Sequence, residues 1–286
     1  MMEHYDILII GGGAAGIAAA KAARGARVLL VDSKPALGGV LLQCTHFGFG
    51  KNKSGIQYSA DLLLDFPKEI TLALNTTVLS VSEDRTALLS GREFGRKTVA
   101  FSQLILATGC REIPMGALPI GGTRPKGIYT AGQMQELMNL HGFHPEGPAV
   151  ILGSGDLGLI MAKHLADTGV DVTLVEQKDS CGGMLRNQRA LENTAVKLIC
   201  RNTVAAVHGE KQLTGCTLSD GTHIPCRMLL IAVGLRPERE LVSGLEGQNW
   251  VHLCGNCNTV HPMVEGVVNE GKKAGSLACE KIRGSL

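Results

Sequence analysis

Aromatic residues make up only 3% of the 286-residue chain, with a single Trp, three Tyr and six Phe. A core built with so few rings must be aliphatic, the character of parallel sheets buried on both faces. The net charge is only +2, and no basic run or basic–aromatic interleaving is present, so a nucleic-acid role finds no support. No apolar run is long enough to span a bilayer. The opening MMEHYDILIIGGG lacks the charged region, apolar stretch and cleavage site of a secretory signal and runs directly into a strand. These absences point to a cytoplasmic protein whose nine cysteines stay reduced. One residue is abundant instead. The chain has 37 glycines, well above the usual share of roughly 7%, which calls for backbone geometries that other residues resist.

Two segments have one design. Tyr5–Ser33 (YDILIIGGGAAGIAAAKAARGARVLLVDS) runs from an apolar strand through glycines into an alanine-rich helix, then into a second strand ending at Asp32. Pro148–Gln177 (PAVILGSGDLGLIMAKHLADTGVDVTLVEQ) repeats the order and ends at Glu176. The likeness continues past each unit, VLLVDSKPALGGVLLQ against VTLVEQKDSCGGMLRN, which indicates an internal duplication. Gly11-x-Gly13-x-x-Gly16 and Gly153-x-Gly155-x-x-Gly158 carry the dinucleotide-binding spacing. The first glycine permits the tight turn, the second lets backbone approach a pyrophosphate, and the third lets helix pack on strand. The helix N-terminus offers free amides and a positive dipole end to phosphates. Asp32 and Glu176 each lie about twenty residues on, where a carboxylate can accept ribose hydroxyls.

Ile70–Val81 and Thr86–Ala100 alternate as strands of a small antiparallel sheet, and Gln103–Gly109 (QLILATG) reads as a strand. Ile113–Lys126, rich in Pro and Gly, marks a crossing between domains. Lys197–Val207, Leu213–Leu218 and Met228–Gly234 read as strands, with Leu235–Arg239 as a breaker and a helical pattern at the C-terminus. The first domain is therefore expected to be discontinuous. It would comprise residues 1–112 and 235–286, with 113–234 inserted as a second dinucleotide-binding domain.

Two such units, with LILATG before the second and LLIAVGLRP after it, resemble the pyridine-nucleotide–disulfide oxidoreductase superfamily over nearly the whole chain. The resemblance implies an α/β fold of two three-layer, Rossmann-like domains with parallel sheets, FAD in the first and NAD(P)H in the inserted one. It implies FAD contacts from Gly11, Gly13, Ala14, Ala15 and Gly16, from Asp32, Ser33 and Lys34, and from Gly39, Val40, Gln43 and Val78. Ala107, Thr108, Gly109, Gly255 and Asn256 complete that set, Asn256 standing where the superfamily usually has Asp. Gly153, Gly155, Asp156, Leu157, Gly158, Glu176 and Gly234 would face the nicotinamide nucleotide. The segments GGVLLQCTHFGFG, ATGCRE, GGTRPKGIYTAG, VILGSGDLGLIMA and LCGN resemble the flavoprotein component of multisubunit glycerol-3-phosphate, 2-hydroxyacid or amine dehydrogenases. That likeness implies a partner dehydrogenase subunit.

Disulfide reductases need two cysteines close in sequence beside the flavin. After Gly38-Gly39 there is only Cys44, so a dithiol relay is not expected there. Cys44 and His46 are the minor catalytic candidates, because hydride transfer is carried by the cofactors themselves. Cys254-Gly-Asn-Cys257 reads as a redox pair, as half of a metal site, or as two reduced thiols in a tight turn. No second close pair completes a metal site. Cys110 and Cys181 read as packing residues, Cys200, Cys216, Cys226 and Cys279 as structural, and His261 as a surface or capping residue or as a neighbour of the isoalloxazine. The leading expectation is an FAD-dependent oxidoreductase linked to NAD(H) rather than NADP(H), acting as the electron-transfer component of a larger dehydrogenase. The alternatives are a free-standing NAD(P)H-dependent reductase or oxidase, and a non-catalytic flavin-bearing subunit or redox sensor.

Overall fold

The computed structural model describes residues 2–93 and 95–284. The chain forms two compact units, residues 1–111 with 236–286, and residues 112–235.

In the first unit the strand Glu3–Ile10 is buried from Ile7 onward, so both of its faces must be covered. Period-two alternation divides its side chains. Leu8 and Ile10 join Phe101, Trp250 and Leu104 in one apolar cluster. Ile7 and Ile9 join Ile17, Ala19 and Ala20 of the helix Ala14–Ala22 in another. The strands Thr71–Ala73, Val28–Val31, Glu3–Ile10 and Gly95–Leu106 lie side by side in parallel, and Val251–Leu253 also pairs in parallel with Gly95–Leu106.

The antiparallel strands expected between the two fingerprints do not form a separate sheet. The 12-residue strand Gly95–Leu106 pairs through its first half with Thr86–Gly91 and through its last residues with Val251–Leu253. A meander, Thr76–Val81 with Thr86–Gly91, is thereby joined to the parallel layer. Ile70–Val81 is broken at Asn75, whose φ of 49° turns the chain out of the parallel strand. Strand pairing ends at Leu106, short of Gly109.

The helix Val264–Arg283 lies against Ala14–Ala22 at unusually close range. A Cβ on Gly271 would meet the Ala15 carbonyl oxygen at 2.2 Å, and one on Gly275 the Ala19 carbonyl oxygen at 2.3 Å. The alanine-rich character of the first helix is explained by this contact, since larger side chains would hold the two backbones apart.

The second unit repeats the plan. Ala149–Leu152 is buried throughout, and its residues alternate between two clusters. The parallel order is Ile128–Thr130, Met228–Ile231, Ala149–Leu152, Val172–Val175, Lys197–Ile199. A four-stranded sheet adds Gly121–Gly122, Val204–His208, Gly215–Leu218 and His223–Pro225. Lys197–Val207 is thus two strands in two sheets, split at Arg201, which has a φ of 58°. Ile113–Lys126 belongs to this unit, where Gly121–Gly122 pairs with Val204–His208. Among the described residues no helix is long and apolar enough to cross a membrane.

Gly275→Val should force the two helices apart and lower stability by about 1–3 kcal/mol. Urea unfolding of the variant checks this; an unchanged midpoint would mean that the contact has slack.

Candidate functional site

The two glycine turns are geometric copies. Gly11 and Gly153 have φ of 104° and 103°. A Cβ on either would strike the carbonyl oxygen of an alanine at the end of a neighbouring strand, Ala107 at 2.3 Å and Ala232 at 2.4 Å. Cβ atoms on Gly16 and Gly158 would lie 1.8 and 2.1 Å from the carbonyl oxygens of Gly11 and Gly153. Here helix and turn touch backbone to backbone. A Cβ on Gly13 or Gly155, by contrast, would meet nothing within 4 Å. These middle glycines open onto space, as a backbone cradle for an approaching ligand requires.

Both glycine-turn helices, Ala14–Ala22 and Asp156–Asp167, begin at a glycine N-cap with no side-chain cap bond. The helices Gly55–Leu63 and Ala131–His141 each carry a full capping box, Ser54 with Gln57 and Thr130 with Gln133. The first amides of a helix need acceptors from outside it. Where the sequence withholds the cap, an anion is the natural substitute.

The acids anchor each turn. Asp32 accepts from the Gly12 amide at 2.5 Å through one oxygen and from the Lys34 amide at 2.8 Å through the other. Glu176, only 9% exposed, accepts from the Ser154 amide at 2.9 Å and hydroxyl at 2.5 Å through one oxygen, and from the Lys178 amide at 2.9 Å through the other. Burial alone would raise its pKa, but these donors hold it below the ordinary carboxylate value, so it is ionised at neutral pH. Backbone bonds match as well: Thr76 to the Asp32 carbonyl and Asn75 to that of Lys34, Asn202 to Glu176 and Arg201 to Lys178. Asn75 and Arg201 share a positive φ. Neither pair was legible in sequence, although the recurring strand, break and strand after each acid is the signal that could have found them.

In the first unit the other residues named from sequence fall into groups. Gly39 comes to Gly13, its Cβ position 3.0 Å from the Gly13 Cα. Beside this contact the Ser59 hydroxyl is 1% exposed and has no hydrogen-bond partner. It lies 2.5 Å from where a Gly38 Cβ would sit. Gly255 closes on the first helix, its Cβ position 2.8 Å from the Ala15 side chain. The Gly255 amide donates to Glu270 at 2.8 Å, and Asn256 accepts from the His261 amide at 3.0 Å. The His261 Nε2 lies 3.0 Å from a Glu270 carboxylate oxygen, so the ring packs against this turn rather than lying on the open surface. Glu270 was not singled out from sequence. The Thr108 hydroxyl donates to the Glu238 carbonyl. Ala107 is buried, Gly109 has a φ of 76°, and Ser33, Lys34 and Val40 are exposed. Gln43 is half-buried at the end of the short 3-10 turn Gly39–Gln43. Val78 packs on the sheet's other apolar cluster; the residues bonded to Asp32 and Lys34 precede it in the chain. In the second unit Leu157 packs on the core, Gly234 accepts from the Ile113 amide at 3.1 Å, and Asp156 accepts from the Met184 amide and the Asn187 side chain, both at 2.7 Å. An uncapped helix start, an open middle glycine, a buried hydroxyl without a partner and an acid with spare acceptor capacity fit a dinucleotide in the first unit; the second unit shares all but the hydroxyl.

The thiols look inward. Among the described residues none of the nine cysteines forms a disulfide; six are buried and Cys110, Cys181 and Cys200 are half-buried. Cys44 donates to the Val40 carbonyl at 3.3 Å, and burial pushes its pKa up to about 12, so it is no thiolate at neutral pH. Cys254 and Cys257 are fully buried and both donate to the Leu106 carbonyl, at 3.7 and 3.0 Å. Burial raises both pKa values. Among the described residues no group of three or more His, Cys, Asp or Glu could hold a metal ion. The His46 ring stacks at a tilt on Phe49, with centroids 5.2 Å apart. Cys44→Ser should leave NADH-to-dye electron transfer within about twofold of wild type, because a buried protonated thiol has no nucleophilic role. Loss of flavin reduction in that variant, with flavin still bound, would give Cys44 a part in the chemistry.

The geometry agrees with comparison to known proteins. Residues 5–264 match the family model described as pyridine nucleotide-disulphide oxidoreductase. An opine oxidase subunit of Agrobacterium tumefaciens (strain Ach5) is 30% identical over 204 residues, 65% of this chain and 40% of that protein. The 5,5'-dehydrodivanillate O-demethylase ferredoxin reductase subunit of Sphingobium sp. is 27% identical over 92% of this chain and 66% of its own length. The chain thus spans less than two thirds of these relatives. The crystal structure of T. acidophilum thioredoxin reductase superposes with a TM-score of 0.78 at 20% identity, covering 98% of this chain and 99% of that one, a likeness of fold. By the extent of the family match, the chain belongs to the pyridine nucleotide-disulphide oxidoreductases, a family of oxidoreductases that use FAD and NAD(P)H.

Proposed function

We propose that this protein passes a hydride or electrons between NAD(H) and FAD as the electron-transfer component of a multisubunit dehydrogenase. The observation that carries the reading is the duplicated cradle: two uncapped helix starts over open middle glycines, each with an anchored acid. In this reading residues 1–111 with 236–286 hold FAD. Gly11, Gly13 and Gly16 and the first-helix amides receive the pyrophosphate, and Asp32 takes the ribose. Gly39, Gln43, Thr108, Gly109, Gly255 and Asn256 surround the remainder. Residues 112–235 hold the nicotinamide nucleotide on Gly153, Gly155 and Gly158, with Glu176 at its ribose. Bound FAD supplies the two-electron chemistry. The protein's own groups bind and orient; no side chain is assigned a proton transfer. The family relatives support a partner, since several are subunits by name, one of opine oxidase, another a ferredoxin reductase subunit.

Affinity purification from the native host tests the partnership. Recovery of a second, substrate-oxidising subunit in constant ratio is expected; a yellow protein that purifies alone and turns over NADH with a small acceptor would favour a free-standing reductase.

The ionised carboxylate of Glu176 sets the nucleotide preference toward NADH. A 2′-phosphate would meet a fixed negative charge and lose a hydrogen bond, together a tenfold discrimination or more on the order of 1–3 kcal/mol. Lys178, Arg186 and Arg189 follow Glu176, but none occupies the strand end itself. Steady-state kcat/KM for both nucleotides, in wild type and Glu176→Ala, measures this. Equal or better use of NADPH by the wild type contradicts it.

A further inference from the structure

The duplicated turns differ at one position with a chemical consequence. The residue between the first two glycines is Gly12 in the first unit and Ser154 in the second. Ser154 is fully buried, and its hydroxyl oxygen accepts from the Gly182 amide at 2.7 Å. A hydroxyl has one proton to give. With Gly182 donating to the oxygen, that proton is committed to Glu176, 2.5 Å away. At Gly12 there is no hydroxyl, and the corresponding bond is Gly38 amide to Gly12 carbonyl at 2.8 Å. Nor is a side chain tolerated there, since a Cβ would lie 2.5 Å from the Leu37 side chain and 3.0 Å from Asp32.

A carboxylate offers about four acceptor positions, two on each oxygen. Asp32 spends one on the Gly12 amide and one on the Lys34 amide, on different oxygens, and so keeps one position on each. It can receive two adjacent ribose hydroxyls side by side. Glu176 spends two positions of one oxygen on Ser154 and one of the other on Lys178. A single position remains. One acceptor position of Glu176 is then left for a ribose hydroxyl, against the two that its place in the fingerprint suggests.

We propose that Ser154 is a positioning residue that sets nucleotide affinity in the second unit, by filling one oxygen of Glu176 and limiting that carboxylate to one ribose hydroxyl. The inference rests on the reading of residues 112–235 as the nicotinamide-nucleotide site. Its functional sense lies in the contrast between the units. A resident cofactor is gripped by both hydroxyls, whereas a co-substrate that must leave in every cycle is held by one.

Isothermal titration of the FAD-loaded protein with NAD+, 2′-deoxy-NAD+ and 3′-deoxy-NAD+ tests this. In wild type one deoxy analogue should bind within about twofold of NAD+ and the other about tenfold or more weaker, the effect of one lost bond to a charged group. In Ser154→Ala the freed oxygen accepts the second hydroxyl, so both analogues should weaken about tenfold or more relative to NAD+. Ser154→Gly, which copies Gly12, should behave likewise. Should both variants fail to fold, the wild-type pattern still decides. Wild type weakened by both analogues overturns the proposal, as does a Ser154→Ala pattern identical to wild type. A structural role for Ser154 alone would lower the thermal midpoint without changing the analogue pattern. Failure of the underlying reading has its own signature: no NAD+ binding, or a Glu176→Gln variant with unaltered affinity for all three nucleotides, which overturns both.

Discussion

The amides at the start of a helix must find acceptors, and two of the helices without side-chain caps begin above glycines that keep the space clear. Much of the surrounding structure follows from that constraint. Gly16 and Gly158 seat each helix against its own turn, so the amides cannot drift away from the strand end. Gly11 and Gly153 take the left-handed backbone that makes the turn close. Asp32 and Glu176 reach back to the turn amides and fix the loops on either side of the same opening. In the first unit the distant helix Val264–Arg283 is drawn in as well, packing Gly271 and Gly275 on the first helix and presenting Glu270 to the Gly255 turn. An apolar residue at Gly13 would cost little in packing and still defeat the site, because the open volume beside it is the part that matters.

Much of this was legible in the sequence because it depends on local backbone need. Glycine spacing, apolar strands and an acid at a strand end are short-range signals, and they marked both modules. The elements that failed to be legible depend on pairing at a distance. Nothing in Gly95–Leu106 taken alone says that one strand will serve a meander at its start and the parallel layer at its end. Asn75 and Arg201 are polar residues in left-handed conformations, which few sequence patterns mark. Cys254 and Cys257 stood open between redox pair, metal half-site and buried thiols, since burial is a tertiary property; the structure shows both thiols closed on the Leu106 carbonyl.

The duplication also keeps one backbone design while its side chains diverge. Backbone geometry in the two turns agrees to within a few tenths of an ångström at the glycine contacts. The divergence lies in side chains: Gly12 against Ser154, half-exposed Asp32 against buried Glu176, an acid-free first turn against Asp156. A scaffold can stay fixed while the acceptor positions left at its acid change: the amides of the first turn take one on each oxygen of Asp32, whereas Ser154 and Lys178 take three of those on Glu176.

Anaerobic rapid mixing of the FAD-loaded protein with NADH tests the central claim, that the two modules bind nucleotides which exchange a hydride. Stoichiometric loss of the oxidised-flavin absorbance is expected within the mixing experiment, slowed by Glu176→Ala through weaker nucleotide binding and restored at higher NADH. Retention of the oxidised-flavin band with NADH demonstrably bound would contradict it.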